Sequence, residues 1–130
     1  MSFMVRVRDV MSTTLVTIEP EATIAEAATV MGSRRVGSAL VLSKGDLVGI
    51  FTERDIVRVL AAHFDGAGHR VEDWMSRAPV TIEPDAPLAA ARRIMLSHGF
   101  RHLPVVAGGR VEGIVSMRDL VGAEDSAESG

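Results

Sequence analysis

One seven-residue stretch occurs twice, and it constrains the fold more than any other feature of the chain. Gly49-Ile50-Phe51-Thr52-Glu53-Arg54-Asp55 recurs as Gly113-Ile114-Val115-Ser116-Met117-Arg118-Asp119, and the step from Asp55 to Asp119 is 64 positions. Sliding the chain by that step aligns the rest without a gap. Met11-Ser12 falls on Met75-Ser76, and Val16-Thr17-Ile18-Glu19-Pro20 falls on Val80-Thr81-Ile82-Glu83-Pro84. Ala22, Ala25, Ala27 and Met31 fall on Ala86, Ala89, Ala91 and Met95. Two copies are too few for a solenoid. They predict two similar halves related by a pseudo-twofold axis, with any sites in pairs.

Each copy of the stretch begins with glycine and two apolar residues, as at the end of a buried strand. A hydroxyl residue follows at a helix N-cap position, with an Arg-Asp pair in the first turn. Thr52 and Asp55, like Ser116 and Asp119, are three apart at a strand-to-helix junction. One reading is a capping box with aspartate in the glutamate position, which needs no ligand. The other is a sugar clamp. A carboxylate at a helix N-terminus accepts protons from two ribose hydroxyls, while the hydroxyl and exposed backbone N–H groups face an anion.

The pattern of the remaining chain predicts the following elements. A lead is extended at Met4-Val5-Arg6-Val7, and Asp9 caps a turn through Met11. A short strand runs from Leu15 to Ile18 and stops at Glu19-Pro20. Thr23 with Glu26 gives a capping-box start to a helix ending near Arg34. Strands at Gly37–Leu42 and Leu47–Phe51 flank a turn and form a hairpin. A helix from Glu53 to Phe64 carries Ile56, Val57, Leu60 and Phe64 on one face. Residues 65–70 read as a flexible linker. The second copy repeats the plan: a helical turn at Val71–Met75, a strand at Val80–Ile82 and a helix at Pro87–Ser97, with proline suited to its first position. A strand at His102–Val106, a strand at Val111–Val115 and a short helix from Met117 to Val121 follow. Small and acidic residues at 123–130 read as a disordered tail. The first repeat thus spans 8–64 and the second 71–122.

Composition narrows the function. The chain is 47% apolar and 24% charged, as soluble globular domains are. Only 4% of residues are aromatic, so the core is built from aliphatic side chains and methionine. A net charge of −3 and a pI near 5.8 argue against a nucleic-acid surface. Cysteine is absent, which excludes a disulfide framework, a thiolate metal site and a cysteine nucleophile. The sequence has no apolar run of membrane-span length and no signal-peptide core at its start, which predicts a cytoplasmic protein. His63, His69 and His98 lack metal-ligand spacing. No nucleophile-base pair or phosphate-cradling loop is present, which speaks against an enzyme.

Taken together, the Met-Ser start, the strand ending Thr-Ile-x-Pro, the Ala-rich helix ending in Met, Leu103-Pro104-Val105-Val106 and Gly113-Ile114-Val115-Ser116-Met117-Arg118-Asp119 resemble the cystathionine-beta-synthase (CBS) domain. Two in tandem form a Bateman module. The resemblance covers residues 8 to 122. It implies an α/β fold of two β-α-β-β-α repeats packed through their sheets about the pseudo-twofold axis. It also implies two clefts that take an adenosine-containing ligand: AMP, ADP, ATP, S-adenosylmethionine or NAD(H). No cofactor is required.

By the same resemblance, Asp55 and Asp119 hold the ribose hydroxyls, and Thr52 and Ser116 contact ribose or the first phosphate. The adenine lies near Thr14, Val16 and Val36 and near Ala78, Val80 and Phe100. The family pattern pairs Asp119 with the first three and Asp55 with the second. Arg101 and His102 occupy positions of basic phosphate contacts, where the first copy has Gly37-Ser38. A cationic pair holds phosphate better than a glycine and a hydroxyl, so the clefts are expected to differ, with Asp119 on the better phosphate side. Arg54 and Arg118 either add to the phosphate site or lie solvated on their helices. The family also implies a homodimer through the helices that follow each ribose aspartate. Since the sequence carries no effector domain, the output would pass to another protein in trans. The competing class is a protein-interaction or nucleic-acid module with degenerate clefts.

Overall fold

The computed structural model describes residues 4–129, with side chains described from Met4 to Ala123. Two compact units emerge. One is Leu15–Pro79; the other joins residues 1–14 to Val80–Gly130. The fold is mixed α/β and carries the repeat in both units.

The Leu15–Pro79 unit contains β1 (Thr17–Ile18), α2 (Ile24–Arg34), β2 (Ser38–Ser43), β3 (Asp46–Thr52), α3 (Glu53–Ala62) and β4 (Ser76–Arg77). Its sheet has the order β1-β2-β3-β4. The β1–β2 pair is parallel, and the other two pairs are antiparallel. Thr23 caps α2 as expected: its Oγ1 accepts from the Glu26 N–H at 3.1 Å. Ile24, Ala27 and Met31 present the buried stripe of α2, and the small Ala27 lets that helix lie close. They pack with Val16, Ile18, Val41, Phe51, Val59 and Val71 as one aliphatic core.

The other unit is α1 (Val7–Val10), α4 (Leu88–His98), β5 (His102–Ala107), β6 (Arg110–Ser116) and α5 (Met117–Ser129). Elements at the four corresponding places begin 64 positions apart, and the hairpins share a register. Val41 faces Gly49 as Val105 faces Gly113, and each ladder shifts just after that pair. The outer strands shrink here to single bridges, Ile82 to Val105 and Ser12 to Ile114. Their counterparts in the first unit are Ile18 to Val41 and Ser76 to Ile50. The core contains Val7, Leu88, Ala91, Met95, Leu103, Val105, Val115 and Leu120.

The boundary of packing is offset from the period of the sequence. Met11-Ser12, which leads the first copy, packs on β6 of the second: Ser12 and Ile114 exchange backbone bonds of 2.8 and 2.9 Å. Met75-Ser76, which leads the second copy, packs on β3 of the first. The glycines of the repeated stretch explain themselves here. A Cβ on Gly49 would stand 2.5 Å from Met75 Sδ and 2.9 Å from the Ser76 carbonyl. A Cβ on Gly113 would stand 2.6 Å from the Ser12 carbonyl and 2.9 Å from Met11 Sδ. Each glycine is therefore a slot for the lead of the other copy.

Several expectations need correction. The lead is not extended at Val7, because α1 begins there; Asp9 closes it from inside by accepting the Arg6 N–H at 2.8 Å. Pro87 is the N-cap of α4 rather than its first residue, with extended ψ of 146°. Val80–Ile82 does not form a strand of its own. The linker is stitched down: it contains a 3-10 turn at Gly66–Gly68, and the Ile24 N–H donates to the His69 carbonyl at 2.8 Å. Gly66 is buried, and Val59 occupies the space a side chain would need. The helix expected to reach Phe64 stops at Ala62, with His63 extended as its C-cap. Val59 enters the core, while Val57, Leu60 and Phe64 are exposed, Phe64 almost completely. The backbone of α5 continues to Ser129 through most of the acidic segment expected from 123 to 130.

Candidate functional site

The repeated stretch ends at the open end of each hairpin, where a helix begins. In the first unit the Thr52 N–H donates to Asp55 Oδ2 at 2.9 Å, and Thr52 Oγ1 donates to the same oxygen at 3.2 Å. In the second the Ser116 N–H donates to Asp119 Oδ2 at 2.8 Å, and the Asp119 N–H donates to Ser116 Oγ at 3.2 Å. The capping reading is thus correct at both places. It does not exclude the clamp, since in both the cap engages Oδ2 and leaves Oδ1 to other partners. A carboxylate can serve both tasks because it has about four acceptor sites.

The other oxygen distinguishes the copies. Arg58 Nη1 donates to Asp55 Oδ1 at 2.9 Å, an ion pair between positions three apart on α3. The Arg58 guanidinium also lies 5.6 Å from the centre of the Trp74 ring, within cation–π range. Asp55 is buried at 5% exposure. The position matching Arg58 in the second copy is Gly122, so α5 offers no such cation to the half-buried Asp119. The repeated stretch singles out Arg54, which it shares with Arg118, and does not reach Arg58. The signal was present as Asp-x-x-Arg in one copy and Asp-x-x-Gly in the other.

The basic pair falls beside the second motif. His102 is registered directly across from Ser116, and the Arg101 carbonyl accepts the first N–H of α5, from Met117, at 2.8 Å. The same places in the first copy hold Ser38, registered with Thr52, and Gly37, whose carbonyl accepts the Glu53 N–H at 3.0 Å. Arg101, Arg54 and Arg118 are exposed, and His102 is half-buried.

The residues expected to line the adenine are divided between the units. Thr14, Val80 and Phe100 lie in the unit of Asp119, and Val16, Val36 and Ala78 in that of Asp55. Val16 is buried in the core, and its carbonyl accepts the Leu40 N–H at 2.9 Å. Val36 packs on the same core from its edge. Thr14, Ala78, Val80 and Phe100 are exposed, Val80 and Phe100 only just so. Phe100 stacks on His98 with centroids 5.0 Å apart. Ala78 has φ of +45°, a strained setting for a residue with a Cβ, and its N–H donates to the Val48 carbonyl at 3.2 Å. A separate groove in the Leu15–Pro79 unit is lined by Glu19, Glu21, Glu26 and Lys44 among others, and by none of these residues.

Among the described residues no group of three or more His, Asp or Glu is placed to hold a metal ion. No helix among them is long and apolar enough to cross a membrane.

Comparison with known proteins agrees with the duplicated motif. The CBS domain family model matches twice, over residues 7–62 and 71–126. The chain therefore belongs to the CBS-domain family. An uncharacterised 17.7 kDa protein of Acidianus ambivalens is 40% identical over 120 residues, covering 91% of this chain and 72% of that protein. Among solved structures, a CBS-domain-containing protein from Agrobacterium tumefaciens superposes with a TM-score of 0.87 at 31% identity, covering 92% of each chain. The CBS domain pair of protein MJ0100, solved with 5'-methylthioadenosine and S-adenosyl-L-methionine, gives 0.87 at 26% identity, covering 95% of this chain and 98% of its own.

Proposed function

We propose that the chain is a regulatory module that binds an adenosine-containing ligand of the AMP, ADP or ATP class and signals to an effector protein in trans. The observation that carries this reading is the paired carboxylate. Asp55 and Asp119 are each fixed at a helix N-terminus through Oδ2, which leaves Oδ1, held at Asp55 by Arg58, as the acceptor for a ribose diol. Thr52 and Ser116 stand beside them for ribose or the first phosphate. Arg101 and His102 supply phosphate contacts to the Asp119 site, with Arg118 and Arg54 as outer cations. Thr14, Val16, Val36, Ala78, Val80 and Phe100 line the base. The related pair solved with two adenosine derivatives supports the ligand class. A ligand that binds one arrangement of the protein better shifts the population toward it, which is how such a module reports occupancy.

A homodimer through α3 completes the proposal. Val57 and Leu60, three apart on α3, are 66% and 48% exposed, and Phe64, just beyond the end of the helix, is 98% exposed. A second copy of the chain would cover them. Sedimentation of Phe64→Glu should then show monomer where wild type shows dimer.

The binding test is a thermal-shift and calorimetry panel of AMP, ADP, ATP, S-adenosylmethionine, NAD(H) and non-adenine nucleotides on wild type and Asp119→Ala. A ligand at about a hundredfold its Kd adds about 2.7 kcal/mol of apparent stability by mass action. One or more adenosine ligands should stabilise wild type, with the effect reduced in the variant. Equal stabilisation by guanosine and adenosine nucleotides would overturn the assignment of the base, and no stabilisation by any of them would leave the aspartates as caps alone.

A further inference from the structure

The two ribose carboxylates are capped alike and yet differ in one cation. We propose that Arg58 is an internal competitor for Asp55: the Asp119 site accepts a ribose diol directly, while the Asp55 site favours a ligand whose phosphate gives the guanidinium a replacement partner. The inference rests on the adenosine reading above and deepens it.

The geometry leaves the ribose little choice. Oδ2 of Asp55 already accepts the N–H and hydroxyl of Thr52, so a diol must approach Oδ1. Arg58 Nη1 holds that oxygen at 2.9 Å. The guanidinium is steadied from a second direction by the Trp74 ring. Its own side chain is 55% exposed, against 7% for Asp55, so the arginine can swing out while the carboxylate cannot. An uncharged diol that displaces Arg58 replaces an ion pair with hydroxyl donors and leaves the guanidinium without a counter-charge. A phosphorylated ligand differs, because guanidinium pairs with phosphate bidentately and recovers what it lost. In the second copy the arginine's place on the helix is held by Gly122. Arg58 thereby makes the first site discriminate by charge.

The test uses adenosine and ATP as probes, titrated by calorimetry into the full chain. Asp119→Ala reports the Asp55 site. It should bind adenosine weakly, and adding Arg58→Met should tighten adenosine about two- to threefold, the most that loss of a solvent-screened ion pair can return. ATP should tighten far less, because it loses its arginine contact in the same step. The reciprocal variant is Gly122→Arg in otherwise wild-type protein. A Cβ at Gly122 meets nothing within 4 Å, so the helix tolerates the side chain. Adenosine affinity at the Asp119 site should fall, even if Asp119→Ala proves too unstable to titrate. Unchanged adenosine binding on Arg58→Met, or equal tightening of adenosine and ATP, overturns the proposal while leaving the adenosine reading intact. Failure of every variant to bind either probe removes the adenosine reading and the proposal with it.

Discussion

The two hairpins are built to one register from different turn residues. The turn between β2 and β3 places Lys44 at φ +53° and Gly45 at +85°, whereas that between β5 and β6 uses Gly108 at +57° and Gly109 at +79°. The helices preceding them end in the same way: α2 closes with Arg35 at φ +56°, α4 with Gly99 at +72°. The first copy thus holds ordinary residues in left-handed conformations that the second gives to glycine. A duplicated backbone has kept its dihedral angles while its sequence drifted. The fold, not the local preference of each residue, imposes those angles, and the cost falls on the first copy.

The largest difference should come from the two slots. Gly113→Val drives a branched side chain into the Ser12 carbonyl, which cannot yield without opening the backbone bonds to Ile114. A loss of about 3 kcal/mol is expected, as for severe overpacking in a core. Gly49→Val meets the flexible Met75 side chain first and should cost less. Chemical denaturation of both variants tests this order. Equal losses would mean that the Ser76 carbonyl, 2.9 Å from a Cβ at Gly49, limits that slot as the Ser12 carbonyl, at 2.6 Å, limits the other.

The substitutions also show why the sequence was legible in some places and opaque in others. The period of 64 is read by direct comparison; the capping pair Thr23 and Glu26, the hairpins and the cap at each aspartate are local patterns, and the structure reproduces them. The exchange of Met11 and Met75 is not local. An apolar residue before a turn states that it will be buried, but not against which copy, and two similar copies make the choice degenerate. On α3 the apolar residues at 56, 57, 59 and 60 exceed one face. Periodicity could not decide that Val59 goes inward, since Gly66, seven residues on, makes the pocket for it. Arg58 was opaque for another reason: an Arg three residues from an Asp on a helix is common, and only the contrast with Gly122 gives it meaning.

The helix ends offer a smaller and opposite pair of effects. Arg35→Gly should stabilise the protein by about 1 kcal/mol, because the left-handed C-cap is relieved of a Cβ. Gly99→Ala should destabilise by a similar amount, as nothing crowds the site and the conformation alone opposes the change. Thermal melts of the two single variants and the double variant, whose effects should cancel, would sharpen the comparison. A gain from both single variants would show that the backbone relaxes at one end and that the copies are not equivalent there.

The smallest effect belongs to the pair that separates the two sites. Arg58 is more than half exposed, so solvent screens its attraction to Asp55 and the pair should contribute only about 0.5 kcal/mol to stability. A double-mutant cycle of Arg58→Met and Asp55→Asn, read by denaturation with and without added salt, measures that coupling. A small, salt-sensitive value fits an arginine that leaves its carboxylate when a phosphate arrives. A coupling of several kcal/mol would make Arg58 a fixed strut of α3. The Asp55 site would then stay closed to charged and uncharged ligands alike, and the module would read its ligand at Asp119 only.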